Sequence, residues 1–546
     1  MNEFVAGDKG ERIFLPLEKI FFTVGKNLSR SGKRIYLQWR EDWGIESAAE
    51  IWYNMRRMKK SVFVMCLVWG AAVFASPVID NSPTRVQTTL KTGLKVKGVL
   101  RPKSVGEIST SHWSIDCAGT DREHVSYQAV KEYLPSLGIR RMRVQAGWAR
   151  CEKERGKYDF RWLDAIIFDA AKRGMEVWLE TSYGNPIYVG GGGRGLAGGM
   201  PSSEEALAAW GAWVDALAAR YKGYVRDWCI WNEPDLFGAN DIQVVIPFTL
   251  KTAEIIKARI PEARLAACAL TWANPEYVEA FCKALKASGK EGLFTWIAYH
   301  HYSMNPDDGY EGQVEVTRQI VKKWTPNLRL WQNESGTQSE WCPSGALCKY
   351  EWTELTQAKW DVRRYLADIG RGDDTGVFHA CDLEYVNSGF HDGLVRYGLI
   401  KTAGQAEDYR VLKVKMAYYA VQNAVSVFND SLEVVPGAAV LEGLERAAIY
   451  GFRDKKTGTM VSVFWDASGV PSDQNETKEV HVRVAGKRFA APVWVDVLTG
   501  QVCAIDEKRV KEEKDATIYT VPCYDAPAFV CDEAILDYVK RERGRD

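Results

Sequence analysis

From about residue 108 onward, short apolar runs alternate with longer stretches in which apolar residues recur every three or four positions. The first kind of run reads as a strand and the second as a helix with one buried face. Candidate strands fall at residues 112–118, 140–145, 176–181, 226–231, 264–269, 294–300, 328–333 and 377–383. Several are continuously apolar, as strands covered on both faces are. The clearest helix begins with a capping box of Ser202 and Glu205 and carries Leu207, Trp210, Val214, Leu217 and Tyr221 on one face. Thr120 and Glu123 repeat the capping signal ahead of residues 125–137, and a helix over 164–173 is closed by Gly174. Eight strand–helix units over residues 108–430 predict an α/β fold, the (β/α)8 TIM barrel. An open doubly wound sheet is disfavoured, because no Gly-rich phosphate fingerprint follows the first strand. The glycines at 190–193 and 198–199 lack that spacing and read as flexible loop at the barrel mouth.

After a last helix over 416–428 the texture changes. Short strands, several of them alternating, are expected at 432–435, 448–452, 460–464, 479–484, 493–497 and 516–521, with turn residues between them. They predict a small C-terminal β-sandwich over residues 431–535, joined by strands from the segment 76–107.

Composition narrows the partner. The chain has 546 residues, 46% of them hydrophobic, with 71 basic and 71 acidic side chains and a formal net charge of zero. That hydrophobic share fills an ordinary core, and balanced charge without a long basic run excludes nucleic acid as the main partner. The 21 tryptophans read mostly as large core side chains of a big barrel, with flat apolar walls for stacking a sugar ring the minority reading for any one of them.

Residues 55–75 carry the three parts of a secretion signal: Arg56, Arg57, Lys59 and Lys60, then the apolar run 61–74, then small residues up to Ala75. The run is too short for a bilayer span, which needs about 20 residues. Translation is therefore expected to begin at Met55 or Met58, with residues 1–54 a spurious upstream segment. The mature protein is expected to be periplasmic or extracellular, without a stable membrane span. Eleven of the 12 cysteines remain after cleavage, an odd number that is no disulfide framework. Cys342 with Cys348, and Cys523 with Cys531, are near enough in sequence to pair, while Cys229 and Cys268 sit in apolar runs as inert thiols. No zinc-type spacing occurs, and neither a metal nor a cofactor is expected.

Chemistry gathers at two strand ends. The fourth strand runs into Asn232, Glu233 and Pro234, and the seventh into Glu334, Ser335 and Gly336. The carboxyl ends of barrel strands form the mouth, so Glu233 and Glu334 are expected to face each other across it. Paired carboxyls there suit glycosidic cleavage: one protonates the leaving oxygen and the other meets the anomeric carbon. That division requires Glu233 to be kept protonated by burial and by its negative neighbour, and Glu334 to stay ionised. His300, His301 and Tyr302 close the sixth strand. Consecutive histidines on a strand point to opposite faces and do not share an ion, so His301 and Tyr302 are read as orienting a carboxylate or a sugar hydroxyl. Trp148, Tyr183, Asn185 and Trp272 stand where loops leave strands, as candidate sugar contacts with ordinary packing an equal reading. The sequon at Asn333 is discounted, since a glycan there blocks the mouth.

The motif Trp231-Asn232-Glu233-Pro234, with a second Glu closing the seventh strand, resembles the glycoside hydrolases of clan A. Within the clan, barrel plus trailing sandwich is most similar to family 39, the β-xylosidase and α-L-iduronidase group. The resemblance covers residues 108–430 and implies Glu233 as acid/base, Glu334 as nucleophile and retention of configuration. It also implies Asn232 on the sugar 2-hydroxyl and Arg143, ending the second strand, as the group that steadies the nucleophile. Two places depart from the family pattern. Gln145 stands where a His is frequent, and the end of the eighth strand offers Asp382, Glu384 and Tyr385 in place of a Trp, implying a more polar sugar site. The expectation is an exported, exo-acting retaining O-glycosidase whose partner is an oligo- or polysaccharide of plant or host. An endo-glycanase of the clan and a catalytically silent carbohydrate-binding protein are the alternatives.

Overall fold

The computed structural model describes residues 2–5, 12–15, 88–109, 112–386, 388 and 392–541. They fall into two units, Met1–Val78 and Ile79–Asp546. In the first, Asn2–Val5 pairs antiparallel with Arg12–Leu15, where the sequence shows no sustained strand period. The expected secretion signal at 55–75 lies outside the described residues.

In the second unit eight parallel strands close into a barrel: β1 (Trp113–Asp116), β2 (Arg141–Gln145), β3 (Glu176–Thr181), β4 (Asp227–Ile230), β5 (Arg264–Leu270), β6 (Trp296–His300), β7 (Arg329–Ser335) and β8 (Asp374–Val377). Because side chains alternate along a strand, residues two apart share the inner face. The inner layer is built from large and small partners: Trp178, Trp296 and Trp331 pack against Cys229, Ala266 and Ala298. Trp331 lies 4.7 Å from Trp178 and 5.1 Å from Trp296, centroid to centroid. Much of the tryptophan excess is therefore barrel core.

Seven strands fall where the apolar runs predict them. The eighth does not: β8 covers Asp374–Val377, and the run 377–383 leaves the barrel to form Leu383–Tyr385, which pairs with Gly393–Val395. The strand is hidden from a hydropathy reading because it is half polar. Asp374 is buried against Arg141 at 3.6 Å and His112 at 2.5 Å, and the Thr375 hydroxyl donates to Asp368.

The outer helices are α1 (Arg161–Lys172), α2 (Glu204–Tyr221), α3 (Ile242–Arg259), α4 (Pro275–Ala287), α5 (Glu315–Trp324), α6 (Glu354–Gly370) and α7 (Met416–Val427). Between β1 and β2 the expected single helix is two short pieces, Tyr127–Val130 and Leu134–Leu137, capped by Ser126 instead of Thr120. Pro135 cannot donate an amide to continue the first piece. In α2 the cap is Ser203, which accepts from the Ala206 amide, one residue beyond the expected Ser202. Its buried face is carried by Trp210, Trp213, Val214, Leu217 and Tyr221, while Leu207 is 43% exposed. No helix among the described residues is long and apolar enough to cross a membrane.

The sandwich follows as expected, with an addition. Its larger sheet runs Leu432–Val434, Ala447–Asp454, Met460–Asp466, Ala528–Asp532, Pro492–Asp496, Gln501–Ala504, Lys95–Leu100, Tyr538–Lys540. The smaller runs Ala439–Glu442, Lys478–Ala485, Ala516–Cys523, Val510–Glu512. Phe464, Trp494, Val482 and Tyr519 fill the space between them. Lys359 of α6 ties barrel to sandwich through the Ser472 and Gln474 carbonyls and Asp525. All eleven described cysteines are free thiols, so neither Cys342 with Cys348 nor Cys523 with Cys531 is bonded.

Candidate active site

The site is assembled around Arg143, fully buried on the inner face of β2. Its Nη1 donates to Asp116 Oδ2 of β1 at 2.7 Å and to Glu334 Oε2. Its Nη2 donates to Glu180 Oε2 of β3 at 2.8 Å and to Asn232 Oδ1 at 2.5 Å. One cation thus faces three carboxylates, which it cannot neutralise together. Burial raises Asp116 to about 6 and also pushes Glu180 up, while Glu334 goes the other way.

Glu334 reaches the mouth because β7 slips register at Asn333: Gln332 pairs with Tyr299, but the next partner of His300 is Glu334. An extra residue in a strand re-aims the side chain that follows it. Burial opposes its charge, yet His300, Arg143 and the Tyr302 hydroxyl, which donates to Oε1 at 2.9 Å, outweigh burial and hold Glu334 down at about 2.

Glu233 follows β4 on a backbone in which Trp231 and Glu233 both take positive φ, 65° and 46°. Such conformations cost non-glycine residues about 1–3 kcal/mol each and persist only where surroundings fix them. Here the Glu233 amide donates to the Ala269 carbonyl, and the Trp231 ring packs among Trp210, Phe248 and Tyr183. Glu233 Oε1 lies 2.9 Å from His300 Nδ1. Burial, reinforced by the charges of Glu334 and Asp235, raises its pKa against the opposing pull of His300. His300 Nδ1 is also 3.5 Å from Glu334 Oε1, so one ring nitrogen stands between the two acids. Each carboxylate side chain is 11% exposed.

Ligand atoms of Glu233, His300 and Glu334 lie within 4.8 Å of one another, a grouping of the size that holds a metal ion. Arg143 already places a positive charge on Glu334, which weakens the case for a second cation there. An oxygen of Glu233 within 4.8 Å of one of Glu334 is compatible with the separation of about 5 Å in a carboxylate pair that acts by double displacement.

The other expected site residues divide. Asn232 and Tyr183 line the cleft with Glu233 and Glu334, and Asn232 Nδ2 donates to the Tyr183 hydroxyl at 2.7 Å. Gln145 lines it too, donating to Glu180 Oε1 at 2.8 Å. Tyr302 touches Glu334, but His301 does not. It is His300, in phase with Trp296 and Ala298 on the inner face, that meets the acids. His301 turns to the other side against Gly309, where burial and Arg364 lower it to about 3.

Trp148 is core, stacked on Tyr188 and Trp213, with its indole N–H donating to Glu152. Asn185 donates to the Glu152 carbonyl and organises its own loop. Trp272 is 37% exposed after β5 and does not line the cleft. Asp382 and Glu384 lie away from the cleft because β8 ends before them. Asp382 is wholly buried, accepting from Lys415 at 2.6 Å and Arg396 at 3.0 Å, and Glu384 accepts from the Gln405 amide. Only Tyr385 of that trio lines the cleft. Asn333 is buried, which leaves no room for a glycan at the sequon. Sequence reasoning misses Asp116 and Glu180, and of the histidine pair that closes the sixth strand it carries His301 into the site instead of His300. Asp116, Glu180 and His300 are each the inward residue two places beyond another inward residue (Ser114, Trp178, Ala298), a phase that becomes usable once one inner position is fixed.

The Asp382 pair carries a stability prediction. Lys415→Met leaves Asp382 with the Arg396 guanidinium and the Gly398 amide, and breaking a buried pair on one side costs about 3 kcal/mol. A clear fall in the thermal midpoint is expected, and an unchanged midpoint contradicts the assignment.

Comparison with known proteins places this geometry. The profile of glycoside hydrolase family 42, β-galactosidase, matches residues 123–188. A family 39 glycoside hydrolase from the gut symbiont Bacteroides cellulosilyticus WH2 superposes with a TM-score of 0.56 at 15% identity, covering 77% of this chain and 81% of that one. A GH30 endoxylanase from Clostridium papyrosolvens C71 gives 0.50 at 11% identity, covering 80% of this chain and 98% of that one. No curated protein matches the chain. The likeness is one of fold, and by fold the chain resembles the clan A glycoside hydrolases, most like family 39.

Proposed function

We propose that the protein is an exported, exo-acting retaining O-glycosidase of plant or host glycans, with Glu233 as acid/base and Glu334 as nucleophile. The observation that carries this reading is that an oxygen of Glu233 and one of Glu334 lie within 4.8 Å in one cleft, with the pKa of Glu233 pushed up and that of Glu334 pulled down. The Glu334 carboxylate attacks the anomeric carbon while Glu233 gives its proton to the glycosidic oxygen, so the C–O bond breaks and the alcohol departs. Glu233, now a base, takes a proton from water, whose oxygen displaces Glu334 and restores the starting configuration. Arg143 and Tyr302 keep Glu334 ionised and aimed, and His300 holds the edge of Glu233. Export rests on the signal-like segment 55–75, and no metal is needed for either step.

The test is a panel of chromogenic aryl glycosides with NMR detection of the first-formed anomer. Retained configuration supports the reading, and inversion, or no turnover by folded protein, defeats it. A pH profile follows from the same groups. Glu233 must be protonated, so kcat/KM falls as pH rises through its raised pKa. Glu334 must be ionised, so activity is lost only well below the ordinary glutamate range of about 4.3. The expected bell is broad, with its acid limb near 2 and its alkaline limb above that ordinary range. Activity confined to strongly acidic pH contradicts the assignment of the two roles.

A further inference from the structure

The chain is neutral overall, but its charges are unevenly placed at the barrel mouth. A cavity of about 980 Å³ opens beside the Glu233–Glu334 cleft and shares Arg122, His124, Tyr183, Leu196 and Tyr385 with it. Its wall carries five cations, Arg122, Arg150, Lys153, Arg161 and Arg194, against three acids, Asp121, Glu123 and Asp159. Each acid is paired with a cation of the same wall: Asp121 with Arg122 at 3.2 Å, Glu123 with Arg150 at 3.0 Å, Asp159 with Arg161 at 2.6 Å. Two positive charges remain, on Lys153 and Arg194. Neither forms an ion pair within the described residues, and Lys153 acts on Asp159 only through its field.

Arg122 stands where the cavity meets the cleft. Its guanidinium is 4.8 Å from the Tyr183 ring centre, its Nε donates to Asp121, and its Nη2 donates to Gln145. Those bonds leave Nη1 without a partner among the described residues, on a side chain that is 16% exposed. Arg194 rides on the loop 190–199, which is held by its own backbone: Gly184 and Asn185 donate to the Gly193 and Gly191 carbonyls at 2.8 Å, and Gly193 to Gly199 at 3.1 Å. A side chain at Gly191 or Gly192 would collide with the Asn185 or Gly199 carbonyl, so the glycines there permit close backbone packing. The loop read from sequence as flexible is a built wall. A recess lined with surplus charge of one sign focuses its field, and guanidinium and ammonium groups pair with carboxylate and sulfate oxygens.

We propose that this recess is a subsite for anionic substituents on the sugars that flank the cleaved one, so that the natural substrate is an acidic glycan bearing uronate carboxylates or sulfate esters. The inference rests on the glycosidase reading but is tested apart from it. The full chain carrying Glu233→Gln is titrated by calorimetry with tetragalacturonate, a heparin tetrasaccharide and xylotetraose. At least one acidic probe is expected to bind about tenfold more tightly than the neutral one, with the gap closing as salt is raised. Which acidic probe wins distinguishes carboxylate from sulfate. Combining Lys153→Glu with Arg194→Glu is expected to cut the acidic-to-neutral affinity ratio by about tenfold, with the milder Lys153→Gln and Arg194→Gln pair intermediate. Lys511→Glu on the sandwich surface leaves that ratio unchanged.

Equal affinities, no binding of either acidic probe, or a ratio unmoved by both double variants overturns the proposal. An enzyme that cleaves aryl glycosides yet shows no charge preference defeats this inference alone. A protein inert on every aryl glycoside yet selective for an acidic probe defeats the glycosidase reading and leaves the subsite standing.

Discussion

Glu334→Gln is expected to abolish turnover, lowering kcat by at least about 10⁴-fold on every glycoside, activated aryl glycosides included. The carboxylate provides the electron pair that forms the glycosyl-enzyme bond, and a neutral amide lacks it. Folding should be spared, because Arg143 keeps its bonds to Asp116, Glu180 and Asn232 when Glu334 is replaced. The companion Glu334→Gly opens a space under the anomeric carbon. Azide added to that variant is expected to attack from the vacated side and yield a glycosyl azide of inverted configuration, read by NMR. A Glu334→Gln enzyme within about tenfold of wild type would show that the nucleophile lies elsewhere.

Glu233→Gln is expected to act unevenly. For natural glycosides, whose leaving oxygen needs a proton, the loss is about 10²- to 10⁴-fold. For aryl glycosides with acidic leaving groups, bond breaking needs little help and the loss is smaller. The alkaline limb of the pH profile should vanish, since the group that titrates there is gone. Azide should speed this variant too, but with overall retention, because it attacks the glycosyl-enzyme from the face that Glu233 occupied. Equal losses for good and poor leaving groups would leave Glu233 a binding residue only.

The barrel is legible from sequence because most of its strands are buried on both faces, and an apolar run bounded by helical periods has few other readings. The eighth strand escapes for the opposite reason: Asp374 and Thr375 are inside by virtue of partners that only the fold supplies. Misplacing it carries Asp382 and Glu384 into the expected site, whereas the structure has Asp382 in a buried ion pair. Glu233 and Glu334 are read at strand ends, and the structure brings them together. The choice between His300 and His301 turns on a single residue of phase, which the sequence leaves open. Trp148 shows the limit of placing aromatics by loop position, since a large ring at a strand end is equally good core. Asp116 and Glu180 stay invisible until Arg143 is seen to gather them, since nothing in a one-dimensional string tells which carboxylates share a cation.

The strand Lys95–Leu100 lies between Gln501–Ala504 and Tyr538–Lys540 in the larger sheet. During synthesis it leaves the ribosome roughly 400 residues before either neighbour, a wait of tens of seconds at about 5–20 residues per second. A barrel that folds as the chain emerges matures while this segment still offers two bare edges, the kind of surface that recruits chaperones or seeds aggregation. A nascent chain arrested before residue 500 would hold a finished catalytic half with its first sandwich strand still unpaired.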